Sequence, residues 1–118
     1  MKTKKPKVLE RDILKQILEY LEWNKWTCYR INNMGVWRAN IKRFTFSGTA
    51  GLPDLLAVKK GFPLLFCEIK RKSGIVSDAQ KDFINRVKES DNGWADVYYS
   101  LDEIIEVLRV LKENYPIN

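Results

Sequence analysis

Apolar residues recur at Leu9, Ile13, Leu14, Ile17, Leu18, Tyr20 and Leu21. That period predicts an amphipathic helix over 8–24. A turn near Asn24 and Lys25 separates it from TCYRIN at 27–32, which reads as a strand. The stretch 33–53 has three glycines and no sustained period; it is read as irregular, a long loop or a hairpin. Strands follow at 54–58 and 64–70, with Lys60-Gly61 as the turn of a hairpin between them. The second is apolar on both faces, as a central covered strand must be. Ser77 and Gln80 form a capping box for a helix that DNG at 91–93 stops. After a strand at 95–100, Ser100 and Glu103 repeat the device and open a helix to Asn114. This order predicts one α/β domain over 8–118, a small mixed β-sheet flanked by helices, behind a short arm at 1–7.

Some polar residues break the apolar pattern. Glu68 and Lys70 stand two apart at the end of the central strand and share one face. Asp54 opens the neighbouring strand of the hairpin, so its carboxylate can come beside Glu68. Two adjacent carboxylates repel and desolvate each other unless a cation lies between them. Their hard oxygens suit Mg²⁺ or Mn²⁺, and the Ile69 carbonyl could add a third ligand. The plainer account is a surface ion pair of Glu68 with Lys70 at a frayed strand end. At 100° per residue, Glu10 falls inside the apolar arc of its helix, and Gln80 projects among Ala79, Phe83, Ile84 and Val87. Either residue could serve only its own helix start, Glu10 through the dipole and Gln80 as a cap. Alternatively both helix starts converge on Asp54 and Glu68, which accounts for four awkward polar residues at once.

Charge adds a partner. Residues 1–50 hold eleven Lys/Arg against four Asp/Glu, and residues 51–118 hold ten against eleven, for a net charge of +6. A basic half beside a near-neutral half suggests a polyanion, nucleic acid first. There is no histidine, which excludes a histidine general base and leaves structural zinc with too few ligands. Cys28 and Cys67 sit in apolar, strand-like surroundings and read as buried thiols of a reducing compartment. No apolar run reaches membrane-spanning length and no signal-type segment follows the basic start. The expectation is a cytoplasmic protein with no membrane partner and no organic cofactor.

The ordered set of motifs resembles a known family. Gly51-Leu52-Pro53-Asp54, thirteen intervening residues and then Glu68-Ile69-Lys70 match the PD-(D/E)xK nuclease signature. The early Glu10, the segment Arg30 to Gly35, Ser77 with Gln80, and the closing Ser100-Leu101-Asp102-Glu103 extend the likeness over residues 9–112. In this the chain is similar to the virus-type replication-repair nuclease (VRR-NUC) domain in its free-standing, phage-type form. The resemblance implies a restriction-endonuclease-like core. It makes Glu10, Asp54 and Glu68 the acidic metal-site residues, Lys70 the catalytic lysine, and Gln80 a helper near the phosphate or the metal's water.

The activity so implied is Mg²⁺- or Mn²⁺-dependent hydrolysis of DNA phosphodiester bonds, leaving 5′-phosphate and 3′-hydroxyl ends. Free-standing relatives look like homodimeric junction-resolving enzymes, so the expected substrate is branched double-stranded DNA, four-way (Holliday) junctions first. A phage-encoded member would act in the host bacterial cytoplasm. Candidate phosphate contacts are Lys2, Lys4, Lys5 and Lys7, then Arg38, Lys42 and Arg43, then Arg71 and Lys72. Trp37 or Phe44 is either a wedge for a branch point or a packing residue. A flap or restriction-type endonuclease on the same core, and a basic nucleic-acid-binding domain without catalysis, remain as alternatives.

Overall fold

The computed structural model describes residues 8–31, 36–38, 43–45 and 51–116. Helix α1 (Glu10–Trp23) forms where the apolar period predicts it, and buries Ile13, Ile17 and Leu21. It ends in a Schellman arrangement: Trp26 N–H donates to the Leu21 carbonyl (3.0 Å) and Lys25 N–H to the Glu22 carbonyl (3.0 Å). Lys25 takes the left-handed position at φ 71°, where glycine is usual. The carbonyl of Asn24, next to the helix end, accepts from Lys59 Nζ (2.8 Å).

Four strands make the main sheet: β1 (Thr27–Arg30), β4 (Leu55–Val58), β5 (Leu64–Ile69) and β6 (Gly93–Tyr98), in the order β1-β4-β5-β6. The first three pair antiparallel; β6 runs parallel to β5. The hairpin expected at Lys60-Gly61 is present. Phe62 N–H closes it on the Lys59 carbonyl (3.1 Å), with Gly61 at φ 87°, a conformation that glycine adopts without strain. The parallel pair is joined by helix α2 (Asp78–Glu89) and followed by α3 (Leu101–Asn114).

The stretch read as irregular contains two short strands, β2 (Val36–Arg38) and β3 (Arg43–Thr45), paired antiparallel as a separate sheet. Each has only three residues, too few to show a period. Strand boundaries also move: β1 ends at Arg30, β6 runs over Gly93–Tyr98 and not 95–100, and two shifts touch the site. Asp54 precedes β4 instead of opening it, and Lys70 follows β5. Both residues stand at the strand ends, where side chains are not confined by the ladder.

The pleat of β5 sorts its residues. Leu65, Cys67 and Ile69 point into a core shared with Ile17, Leu21, Ile104, Leu108 and Leu111 of α1 and α3. Phe66 points the other way and meets Phe83 of α2 edge-on, with ring centroids 5.3 Å apart. Helices thus cover both faces, and Glu68 and Lys70 belong to the α2 side. Among the described residues no helix is long and apolar enough to cross a membrane.

Candidate functional site

Glu68 is 2% exposed and is the one buried charged residue of the described core. The strand puts it beneath the start of α2, where Gln80 Nε2 donates to its Oε1 (3.0 Å). Lys70 Nζ stands 3.8 Å from the same oxygen. The other oxygen, Oε2, is buried and receives no hydrogen bond among the described residues. Burial, then the charge of Asp54, pushes the Glu68 pKa up to about 8; Lys70 pulls it down, and a hydrogen bond shared with the Asp54 side chain and then the charge of Glu10 add smaller upward pushes. A neighbouring carboxylate relieves the orphaned oxygen only if one of the two takes up a proton; a cation would relieve it without one.

Asp54 is held from several sides. Its Oδ2 accepts the Ile69 N–H (2.8 Å), and its own carbonyl accepts the Ile31 N–H (3.1 Å). Continuing the β4–β5 register from Leu55↔Cys67 sets Pro53 opposite Ile69. Proline has no N–H to give to the Ile69 carbonyl, so the ladder ends there, and the Ile69 N–H donates to the Asp54 side chain. Just upstream, Gly51 sits at φ +91°, and a Cβ there would fall 2.4 Å from the Ala79 carbonyl oxygen. That contact seats the Pro53-Asp54 segment on the first turn of α2, one residue before Gln80.

Gln80 does both things that its sequence position allowed. Its Oε1 accepts the Ser77 N–H (2.9 Å) and Ser77 Oγ accepts the Gln80 N–H (3.1 Å), which completes the capping box. The amide is thereby fixed with its NH₂ toward Glu68. Gln80 therefore meets Glu68 directly; the helper role near the phosphate or the metal's water is what the resemblance implies for it.

Glu10 stands at the margin. It is half-buried as the first residue of α1, short of the core row that Ile13 begins. A Cβ added to Gly74 would lie 3.1 Å from Glu10 Oε1 and 3.2 Å from Lys70 Cδ. The loop at Gly74 therefore brings Glu10 and the Lys70 stem to one place, and only a residue without a side chain leaves both where they are. The sequence offered no signal for this role beyond a lone glycine in a loop.

The structure gathers Asp54, Glu68, Lys70 and Gln80, with the Ile69 backbone between them and Glu10 alongside. Among the described residues no three Asp, Glu, Cys or His side chains form a ready-made metal cluster. The tight set is two carboxylates. Comparison of the chain with family models, with curated proteins and with solved structures found no match. Behind the site, on the opposite face of β5, burial raises the Cys67 thiol pKa; Cys28, on β1, is only half-buried and not the buried thiol expected, and burial followed by the charge of Glu22 pushes it up to about 11. Both are thiols at neutral pH and form no disulfide.

Of the expected DNA contacts, Arg71 and Lys72 are exposed just past Lys70. Register pairs Arg38 with Arg43 and Trp37 with Phe44 across β2 and β3. Lys2, Lys4, Lys5, Lys7 and Lys42 lie outside the described residues.

Proposed function

We propose that the protein is a metal-dependent, structure-specific DNA endonuclease that hydrolyses phosphodiester bonds in branched DNA, four-way junctions first. The observation that carries this reading is the pairing of buried Glu68, one oxygen without a donor, with Asp54, beside a lysine. A purely structural ion pair would not need the second carboxylate, which raises the cost of the first. The order of motifs, Pro53-Asp54 and then Glu68-Ile69-Lys70, supports the PD-(D/E)xK resemblance. A mixed sheet with helices on both faces is compatible with a restriction-endonuclease-like core.

The donor set fits a hard divalent ion: two carboxylates, one of them with a buried oxygen that no donor among the described residues reaches, and a strand-end carbonyl. Asp54, Glu68 and the Ile69 carbonyl would hold Mg²⁺ or Mn²⁺, with Glu10 assisting from the first turn of α1. When bound, the ion supplies charge that lowers the pKa of water and stabilises negative phosphoryl oxygens. Lys70, its side chain 17% exposed, can present its ammonium to solvent and substrate while its stem stays packed at Gly74. Lys70 contributes positive charge opposite the phosphate and positions water. Gln80 keeps Glu68 from rotating. Arg71 and Lys72 would meet phosphates along the strand and fix its path without reading bases. Action as a homodimer, leaving 5′-phosphate and 3′-hydroxyl ends, belongs to the same proposal, since symmetric nicks across a junction need two symmetric sites.

The test is cleavage of a labelled four-way junction in Mg²⁺ or Mn²⁺, beside a flap, linear duplex and single strands, with Asp54→Asn as control. Paired nicks on the junction, lost in the variant, support the whole proposal. Preferential cleavage of flaps keeps the site and rejects the junction. Binding without cleavage of any substrate moves the reading to a nucleic-acid-binding domain.

A further inference from the structure

Next along the chain from Lys70, lined by Arg71, Lys72 and Ser73, lies a cavity of about 540 Å³ with walls more apolar than polar. It is built from three chain segments: the start of α1, the turn after Lys70, and the entry to α3. Ile13, Tyr99 and Leu101 give it apolar and aromatic surface, and Arg71, Lys72 and Ser73 form its polar side. No carboxylate lines it. The entry to α3 is not an open anion site, because the Glu103 carboxylate already accepts the N–H groups of Tyr99 and Ser100. The positive charge of the lining is on the Arg71–Lys72 side, with Gln16 and Ser100 as neutral polar groups elsewhere in the wall.

The cavity and the candidate site share a partition. Glu10 and Ile13 sit one turn apart on α1, the first beside the carboxylates and the second in the cavity wall. The turn of the other wall is closed by Gly74 N–H on the Arg71 carbonyl (2.8 Å), and Gly74 is where Glu10 and Lys70 meet. A ligand spanning both places would have a charged link at Lys70–Arg71 and a flat, mostly apolar body a short distance away. Those are the parts of a nucleotide.

We propose that this cavity receives one unpaired nucleotide adjacent to the scissile phosphate, base against the apolar wall and phosphate on Arg71 and Lys72. The inference rests on the nuclease reading above and gives a physical source for a preference for branches. Taking a base out of an intact duplex costs unstacking and unpairing, and that cost is least where the base is already unpaired. The cavity volume lies within the range of small-ligand sites, and an aromatic residue in the wall suits any base, so the preference would follow DNA shape and not sequence.

The experiment places 2-aminopurine next to the cleaved phosphate of a branched DNA and follows its fluorescence on binding, in Ca²⁺ to hold off hydrolysis. Ser73→Trp and Gln16→Trp fill the cavity from exposed positions, where folding is least at risk. Wild type should raise the fluorescence and each variant should remove the rise. Each should also slow cleavage in Mg²⁺ roughly tenfold, the worth of one stacked base. An abasic site at that position should make wild type and variants cleave alike, since no base is left to seat. Unchanged fluorescence on a DNA that wild type binds and cleaves overturns the cavity proposal and leaves the nuclease reading intact. A rise at the branch point that the variants abolish, with no cleavage by wild type in either metal, overturns the nuclease reading and the placing of the nucleotide at a scissile phosphate, and leaves only a nucleotide-binding cavity. Absence of DNA binding overturns both.

Discussion

Glu68 sets the residue-scale predictions. Its pKa, raised from 4.5 to about 8, means that the folded chain keeps a proton which the unfolded chain gives up near the lower value. Between the two, the folded state binds more protons, so metal-free stability falls as pH rises through that window and levels off above it. Urea denaturation across the window should show the decline, and Glu68→Gln should abolish it. The variant should gain roughly 1–3 kcal/mol at the upper end, because a neutral amide can donate to Asp54. A flat wild-type profile would mean that Glu68 is ionised throughout. Binding Mg²⁺ or Mn²⁺ near neutral pH should release about one proton per ion, measurable in a weakly buffered titration. For catalysis, Asp54→Asn and Lys70→Ala should each lower kcat at least roughly a hundredfold on the best branched substrate, with far-UV circular dichroism unchanged. Equal rates in variant and wild type would remove these residues from the mechanism.

At the scale of elements, glycines and caps do the positioning. Gly51 combines a left-handed φ with backbone contact at α2, and a backbone oxygen cannot swing aside as a side chain would. Gly51→Ala should destabilise the protein by about 2 kcal/mol or more. Because the first turn of α2 carries Gln80, cleavage should fall even at temperatures where the variant is fully folded; an unaltered rate would detach Gln80 from function. Lys25 offers the opposite case. It occupies the left-handed position of the α1 terminus, which costs a non-glycine residue ~1–2 kcal/mol, and no neighbouring group demands a lysine there. Lys25→Gly should raise the melting temperature and leave activity unchanged. The capping box after Ser77 shows how much was legible in advance. The Ser-x-x-Gln spacing announced the helix start, because capping is a contact over three residues. That the same glutamine also holds Glu68, twelve positions away, needed the sheet.

Across the whole molecule, the sheet divides the work between its faces. The face toward α1 and α3 is the closed core, while α2 covers the other only over β5 and β6. Tyr29 and Val58, on the β1–β4 half of that second face, remain 53% and 37% exposed. The candidate site lies where covered and open halves meet, which keeps Glu68 dry and leaves Lys70 reachable. Binding to branched DNA should weaken by at least roughly tenfold between about 50 and 200 mM salt, as expected where several phosphates are neutralised. Salt-independent binding would contradict the basic contacts proposed here. Sedimentation at micromolar concentration tests the proposed homodimer, and a monomer that still makes paired nicks would reject it.

Local signals were enough for the elements. Apolar periods, two capping boxes and a Lys-Gly turn are contacts over a few residues, so they specified three helices and the β4–β5 hairpin with ends within about three residues. The three-residue strands β2 and β3 form the hairpin that was one of two readings of that stretch; so short a stretch has no period to decide between hairpin and loop. The candidate carboxylate pair was half legible: alternation put Glu68 and Lys70 on one face, and the hairpin brought Asp54 near. What only the tertiary structure decided is how charged each group is and what shares its space. Burial of Glu68 comes from α2 crossing above it, the placing of Asp54 from the Ile69 N–H that it accepts, and the approach of Glu10 and the Lys70 stem from the lack of a side chain at Gly74. These are packing relations between distant segments, and no pattern along the chain encodes them.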